Sequence, residues 1–264
     1  MESTDTAHRS SKRLGQHFLK DLSIADRIVS TASLNGHDTV LEPGAGLGVL
    51  TRLLEKKAGH IIAVEKDPRL VARLRKIFSS AGSVEIIEGD VLKTVLPPFN
   101  KVVGTPPYYI SSKLILFLQR SSFTTAFLVF QKEFAERLLA RPGTPDYGRL
   151  SVTAQRTLRI QTLMPIRRES FEPKPKVDSV LVALEPRASS GNVDEKVLGE
   201  MVRAIFTQRR RLLRGALFHF LKLKLGREKA RTVLSRLKLP DSRVYELSIK
   251  ELEEVAVQLA GLYG

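Results

Sequence analysis

The chain has 264 residues, 42% hydrophobic and 27% charged, with no cysteine and a net charge of +15 from 43 Lys plus Arg against 28 Asp plus Glu. Such a composition fits one large domain, or a medium domain with a small companion, and excludes wholesale disorder, collagen-like repeats and a coiled coil. No apolar run reaches the roughly 18 residues of a membrane span, the polar N-terminus argues against a secretion signal, and the missing cysteine excludes disulfides, thiolate catalysis and cysteine-bound zinc.

Residues 1–12 read as a flexible polar tail. Apolar spacing predicts a helix over 22–32. Thr39, Val40 and Leu41 form a strand that runs into Glu42-Pro43-Gly44-Ala45-Gly46-Leu47-Gly48, and a helix follows over 49–57. A second strand, 60–65, ends in Glu65. Asp67 and Pro68 then suit the N-cap and first turn of another helix. Further strands are expected over 84–90, 101–104 and 125–130. Strands alternating with helices imply a parallel sheet covered on both faces. Residues 186–192 read as a linker.

Beyond the linker the pattern is helical and basic: between Met201 and Lys238 stand twelve Lys or Arg and one acid, Glu228. Over 202–220 a single helix is expected, with a buried stripe of Val202, Ile205, Phe206, Leu212, Leu213, Ala216, Leu217 and Phe220. At 100° per residue Arg203, Arg210 and Arg214 fall within about 40° of one another along its edge. They make a phosphate-gripping ridge or a merely solvated face. Arg209 points into the stripe and is expected to pair internally. The overall positive charge favours a polyanionic partner such as nucleic acid.

The glycine turn between strand and helix lets the backbone bend and a ligand approach closely. Glu65 follows Gly44 by 21 residues at the next strand end, where a carboxylate can accept from ribose hydroxyls. Asp90, closing the third strand, suits an adenine amino group. Val49 stands where a dinucleotide fingerprint wants Gly or Ala, and no P-loop lysine follows the turn. The five histidines, His8, His17, His37, His60 and His219, show no metal-ligand spacing. With Glu42 leading, the turn resembles that of S-adenosylmethionine (SAM) methyltransferases.

The fourth strand ends in Thr105-Pro106-Pro107-Tyr108, which is similar to the Asn/Asp-Pro-Pro-Tyr motif of N6-adenine methyltransferases. Leu14-Gly15-Gln16-His17-Phe18-Leu19 resembles the N-terminal SAM-contacting motif of one branch. Tyr147-Gly148-Arg149-Leu150, Phe171-Glu172-Pro173-Lys174-Pro175-Lys176-Val177, the Phe206 to Arg210 basic stretch and Glu246-Leu247-Ser248 match the same branch. In order and combination these resemble the KsgA/Dim-type small-subunit ribosomal RNA adenine N6,N6-dimethyltransferases, archaeal-like members above all, over about residues 12–262.

That resemblance implies an α/β fold: a Rossmann-like SAM-dependent methyltransferase domain over 13–187, and a small basic helical RNA-binding domain over 193–264. It implies that His17 and Leu19 contact SAM through backbone groups, that Gly44 and Gly46 cradle it, and that Glu65 and Asp90 hold its ribose and adenine. Thr105 would face methyl donor and target amine. The Pro106 carbonyl would help hold that amine, Tyr108 would stack on the target adenine, and Phe171 would close its other face. Arg149, Arg203, Arg210 and Arg214 would bind RNA.

The implied enzyme dimethylates two adjacent adenosines near the 3′ end of small-subunit rRNA. It would act as a cytoplasmic monomer on a pre-30S-type subunit, without metal or membrane. Thr105 departs from the family's Asn or Asp. Three readings follow: its hydroxyl does the job directly or through water, methylation is incomplete, or the chain binds RNA without catalysis. A large-subunit rRNA adenine N6-methyltransferase is the other alternative.

Overall fold

The computed structural model describes residues 16–187 and 193–263. The tail expected over 1–12, Leu14, Gly15 and residues 188–192 of the expected linker lie outside the described residues. The chain forms two compact units: one runs to Ala135 and takes up Leu158–Pro186, the other joins Glu136–Thr157 to the chain from Arg187 onward.

The first unit opens with β1 (Phe18–Leu19) and α1 (Leu22–Thr31). The Asp21 carboxylate caps α1, accepting from the backbone N–H groups of Ser23 and Ile24 at 3.0 and 3.2 Å. Then come β2 (Thr39–Pro43), α2 (Val49–Leu54), β3 (His60–Glu65), α3 (Pro68–Ile77), β4 (Val84–Glu88), β5 (Lys101–Gly104), α4 (Ser111–Leu118) and β6 (Thr125–Gln131). Asp67 caps α3 with Pro68 in its first turn, as the sequence predicts. After α5 (Lys132–Leu139), the unit is completed by β7 (Leu158–Ile166), β8 (Phe171–Glu172) and β9 (Ser179–Pro186).

Seven strands form one sheet in the order β4-β3-β2-β5-β6-β9-β7. The first five are parallel; β2, β3, β5 and β6 carry the near-continuous apolar runs of strands buried on both faces, whereas the edge strand β4 has no fully buried residue. β9 pairs antiparallel with β6 and with β7, so the sheet is mixed rather than wholly parallel. The sequence concealed β7 because it alternates exposed and buried residues, carries Pro165 and bulges between Thr162 and Met164. An edge strand tolerates all three. Packed against the sheet are Ile28, Val29, Leu54, Leu74 and Phe78.

β2 lies between β3 and β5: the chain runs outward from β2 through β3 and β4, then crosses back to β5 on the other side of β2. The crevice beyond the carboxyl ends of the strands at such a switch point is where open α/β sheets bind ligands. Register aligns those ends: Pro43 lies opposite Val64 and Glu65 opposite Glu88. Separately, β1 and β8 form a two-stranded antiparallel ribbon that sets Leu19 opposite Phe171 and Phe18 opposite Glu172.

The second unit comprises α6 (Arg149–Thr157), α7 (Glu195–Ile205), α8 (Leu213–Leu225), α9 (Arg227–Arg236) and α10 (Ile249–Tyr263). Tyr147, Met201, Ile205, Leu213, Leu217, Leu252 and Ala256 lie in its core. The expected division at 187 therefore misses an earlier excursion. Residues 136–157 belong with the C-terminal helices, because the buried Tyr147 hydroxyl donates to the Leu247 carbonyl at 2.9 Å and the Gly143 N–H donates to the Tyr245 carbonyl at 2.8 Å.

The single helix expected over 202–220 is two helices. α7 ends at Ile205, and one 3-10 turn spans Phe206–Gln208. Leu212 is extended at φ −58°, ψ 141° and bridges to Arg243. Val244 N–H donates to the Arg211 carbonyl, Tyr245 N–H to the Arg209 carbonyl, and the Leu213 N–H to the Ser242 carbonyl. Those long-range bonds outcompete the local helical ones, and Leu212, expected in the buried stripe, is 51% exposed. The angular argument that grouped Arg203, Arg210 and Arg214 on one helix edge falls with the continuous helix.

Candidate functional site

β2 delivers the glycine turn directly to the crevice. The Gly44 and Ala45 N–H groups donate to the Val64 carbonyl at 2.8 and 3.1 Å, which ties the turn to the end of β3. Gly46 has φ +58°, and a Cβ there would stand 3.0 Å from the Phe18 ring. Only a glycine meets both conditions without strain.

Glu65 ends β3 and is buried. Its Oε2 accepts from Gly46 N–H at 2.9 Å, and its Oε1 accepts from the Lys66 and Asp67 N–H groups at 2.8 and 2.9 Å. Three backbone donors thus orient the carboxylate, and of about four acceptor positions on an ionised carboxylate one remains open to a ligand hydroxyl. Glu42, at the end of β2, is also buried and accepts the Thr51 hydroxyl at 2.6 Å. Burial, helped by the neighbouring Glu65 charge, pushes its carboxyl up to about 8. In the sequence Glu42 reads only as the leading acid of the turn; its raised titration comes chiefly from burial, which only the fold supplies.

Three hollows share these walls. The first is lined by Gln16, His17, Leu19, Glu42, Gly44, Gly46, Glu65 and Thr105, among others. The second shares Gln16, Gly44, Glu65 and Pro107 with it and extends to Asp90, Val91 and Tyr109. Asp90 accepts from Leu92 N–H at 3.1 Å and lies 3.4 Å from the Lys66 ammonium. The third is lined by His17, Thr105, Pro106, Pro107, Tyr108, Val129 and Phe171. The structure therefore gathers the residues expected to hold a cofactor into the first two hollows, and those expected around a target base into the third. His17, Thr105 and Pro107 line both the first and the third.

Tyr108 shares a hydrogen bond with Ser179 Oγ at 2.7 Å, and burial raises its phenol above the ordinary value. Its ring lies 5.5 Å from that of His17, tilted by 31°. Phe171 is 1% exposed. The sequence alone does not mark Gln16, Val129 or Ser179 as site residues. Gln16 stands inside a quoted motif, whereas Val129 and Ser179 reach the site through the pairing of β6 with β9, which no local signal announces.

Arg149, Arg203, Arg210 and Arg214 are exposed and all belong to the second unit. Arg149 begins α6, Arg203 lies on α7, Arg210 in the turn after it and Arg214 on α8. Arg209, expected to pair internally, donates to the Tyr147 carbonyl at 2.9 Å and to the Pro145 carbonyl. Among the described residues no helix is long and apolar enough to cross a membrane.

The family model for ribosomal RNA adenine dimethylase matches residues 7–255. The chain is 42% identical over 255 residues to the probable ribosomal RNA small subunit methyltransferase A of Thermococcus onnurineus, covering 95% of this chain and 93% of that one. It is 44% identical over 205 residues to the protein of that name from Methanosarcina acetivorans, covering 77% and 76%. Among solved structures, a dimethyladenosine transferase from Plasmodium falciparum superposes with a TM-score of 0.81 at 30% identity, covering 94% and 98%. The 23S rRNA methyltransferase ErmE superposes with a TM-score of 0.65 at 29% identity, covering 92% and 99%. With the crevice, the glycine turn and the Thr105 to Tyr108 corner in place, these likenesses make the chain a member of the ribosomal RNA adenine dimethylase family, an rRNA methyltransferase with the Rossmann-like fold.

Proposed function

We propose that the chain uses SAM to dimethylate the N6 amine of two adjacent adenosines near the 3′ end of small-subunit rRNA, acting on a partly assembled subunit in the cytoplasm. One observation carries this reading: His17, Thr105 and Pro107 line both the hollow beneath the glycine turn and the aromatic hollow of Tyr108 and Phe171. A methyl donor in one and a base in the other would meet at Thr105.

The residues present fit SAM. Gly44 and Gly46 line the hollow with bare backbone packed so closely on Pro107 and Phe18 that a Cβ at either would crowd its neighbour, and Glu65 and Asp90 offer acceptors for ribose hydroxyls and an adenine amine. When bound, SAM supplies an electrophilic methyl group on a sulfonium.

The chain's own task is to position the amine. An adenine N6 lone pair is delocalised into the ring and is a poor nucleophile. Hydrogen bonds from the amine to Thr105 Oγ1 and the Pro106 carbonyl would draw the nitrogen toward tetrahedral geometry, so positioning and electrostatics carry the rate. Tyr108 and Phe171 offer faces that offset unstacking of the base. The alkylated amine is acidic enough to shed its proton to water, so the site needs no strong base. Arg149, Arg203, Arg210 and Arg214 serve phosphates from the second unit, arginine suiting them by its planar fork.

Thr105 supports a second reading, an rRNA-binding assembly factor that keeps the fold without turnover, since threonine is shorter than the family's Asn or Asp. The test is incubation of unmethylated small subunits with the protein and SAM, then nucleoside mass spectrometry. N6,N6-dimethyladenosine is the expected product. SAM binding without any methylated product, with a Thr105→Asn variant active, would favour the assembly factor. Methylation of naked large-subunit RNA in preference to small subunits would favour the large-subunit alternative.

A further inference from the structure

The side chain of His17 does something its backbone role leaves unexplained. Its Nδ1 lies 2.6 Å from the Pro173 carbonyl, 156 residues away in sequence. A carbonyl only accepts, so Nδ1 carries the proton and donates. The bond holds the segment after Phe171, the residue expected to close over the base. The same imidazole packs against Tyr108, the residue expected beneath the base, and Tyr108 is fixed in turn by Ser179.

The segment that holds His17 is pinned from the other direction as well. Phe18 lies against Gly46 in the glycine turn, so closely that a Cβ there would meet its ring at 3.0 Å. Leu19 pairs with Phe171, Phe18 with Glu172, and the Lys20 N–H donates to the Ser170 carbonyl at 2.9 Å. The ribbon thus serves both hollows, β1 lining the first with Phe18 and Leu19 and β8 lining the third with Phe171. His17 is the wall residue whose side chain reaches both Tyr108 and the Pro173 carbonyl.

We propose that His17 is a positioning residue that couples the two sites: filling the hollow beneath the glycine turn steadies the 16–20 segment, and the His17 side chain passes that order to the Phe171 to Lys176 segment and Tyr108. The proposal rests on the functional reading above for the identity of the two ligands. Cofactor binding then prepares the base site before any base arrives, which lowers the entropy cost of capturing an unstacked adenine.

The experiment is hydrogen–deuterium exchange on the full chain with and without S-adenosylhomocysteine, a probe that needs no RNA and no turnover. In the natural chain the probe slows exchange both in 44–48 and in 170–177. His17→Phe keeps an aromatic ring beside Tyr108 but cannot donate. It retains protection over 44–48 and loses about fivefold to tenfold of it over 170–177, the scale of one hydrogen bond. His17→Asn keeps a donor near the Nδ1 position and restores most of the protection, a rescue that a merely space-filling role would not give. Equal protection of 170–177 in the natural chain and His17→Phe overturns the coupling and leaves the functional reading standing. So does protection confined to 44–48 in the natural chain. Absence of any binding of the probe by the natural chain overturns both.

Discussion

Arg156 and Glu195 form a two-pronged ion pair within the second unit, the Arg156 guanidinium donating from Nη1 and Nη2 to the two carboxylate oxygens of Glu195. Its Nε donates to Glu253 at 2.8 Å. One side chain, only 7% exposed, therefore ties α6 to both α7 and α10. This triad, with Tyr147 bonded to Leu247, explains why residues 136–157 leave the sheet and join the C-terminal helices.

Removing the arginine leaves Glu253 partly buried without its partner. Arg156→Ala is expected to lower stability by about 2–4 kcal/mol, whereas Glu195→Gln, on a largely exposed carboxylate, costs under about 1 kcal/mol. Arg156→Lys recovers part of the loss, since an ammonium cannot reproduce the fork. Urea unfolding followed by circular dichroism measures all three. An Arg156→Ala midpoint equal to that of the natural chain would refute the triad's role.

Glu42 makes stability depend on pH. The folded chain keeps its proton up to about 8, because burial penalises the charge, while the unfolded chain releases it near 4.5. Between these values the folded state binds the extra proton, so stability falls as pH rises through the window and levels off above it. Glu42→Gln keeps an acceptor for Thr51 and abolishes the titration. Its stability relative to the natural chain is expected to rise from pH 5 to pH 8.5 by on the order of 1–3 kcal/mol. Parallel pH profiles for the two chains in chemical denaturation would sink the assignment.

On the proposed reading, donor and amine meet at Thr105, which lines both hollows. Thr105→Val keeps the branched shape and removes the hydroxyl, and it is expected to slow methyl transfer by about tenfold to a hundredfold. SAM affinity should change little, because the change falls where donor and amine meet. Single-turnover kinetics with calorimetric SAM binding separates the two quantities. An unchanged rate would mean that the Pro106 carbonyl and the aromatic faces suffice.

Changing Arg203, Arg210 and Arg214 together to alanine is expected to weaken RNA binding. If each grips one phosphate, the slope of log affinity against log salt flattens by about 2–3. Filter binding across a salt series measures this. Unaltered affinity and slope would place the RNA elsewhere, and would agree with the loss of the single helix that first grouped these three.

The strands of the parallel half of the sheet, the glycine turn, Glu65, Asp90 and the Thr105 to Tyr108 corner are all legible in the chain as written. Buried parallel strands are continuous apolar runs, and residues that close them must stand at the following positions, so local spacing carries the information. The basic helix failed for the opposite reason. Its apolar period is helical throughout, but the backbone bonds of Arg209, Arg211 and Leu213 to Tyr245, Val244 and Ser242 come from a distant stretch of the chain and override the period at Leu212.

The sequence by itself determined which residues stand at the glycine turn and at the carboxyl ends of the parallel strands, because those are local properties of strand ends and turns. Only the tertiary structure decided that β9 and β7 extend the sheet antiparallel, and that Tyr147 and Arg149 belong to the second unit. It alone decided that His17 lines two hollows and that its side chain reaches Pro173. Each depends on hydrogen bonds or burial between segments far apart in the chain, where the free energy comes from pairing and leaves no periodic trace in either partner alone.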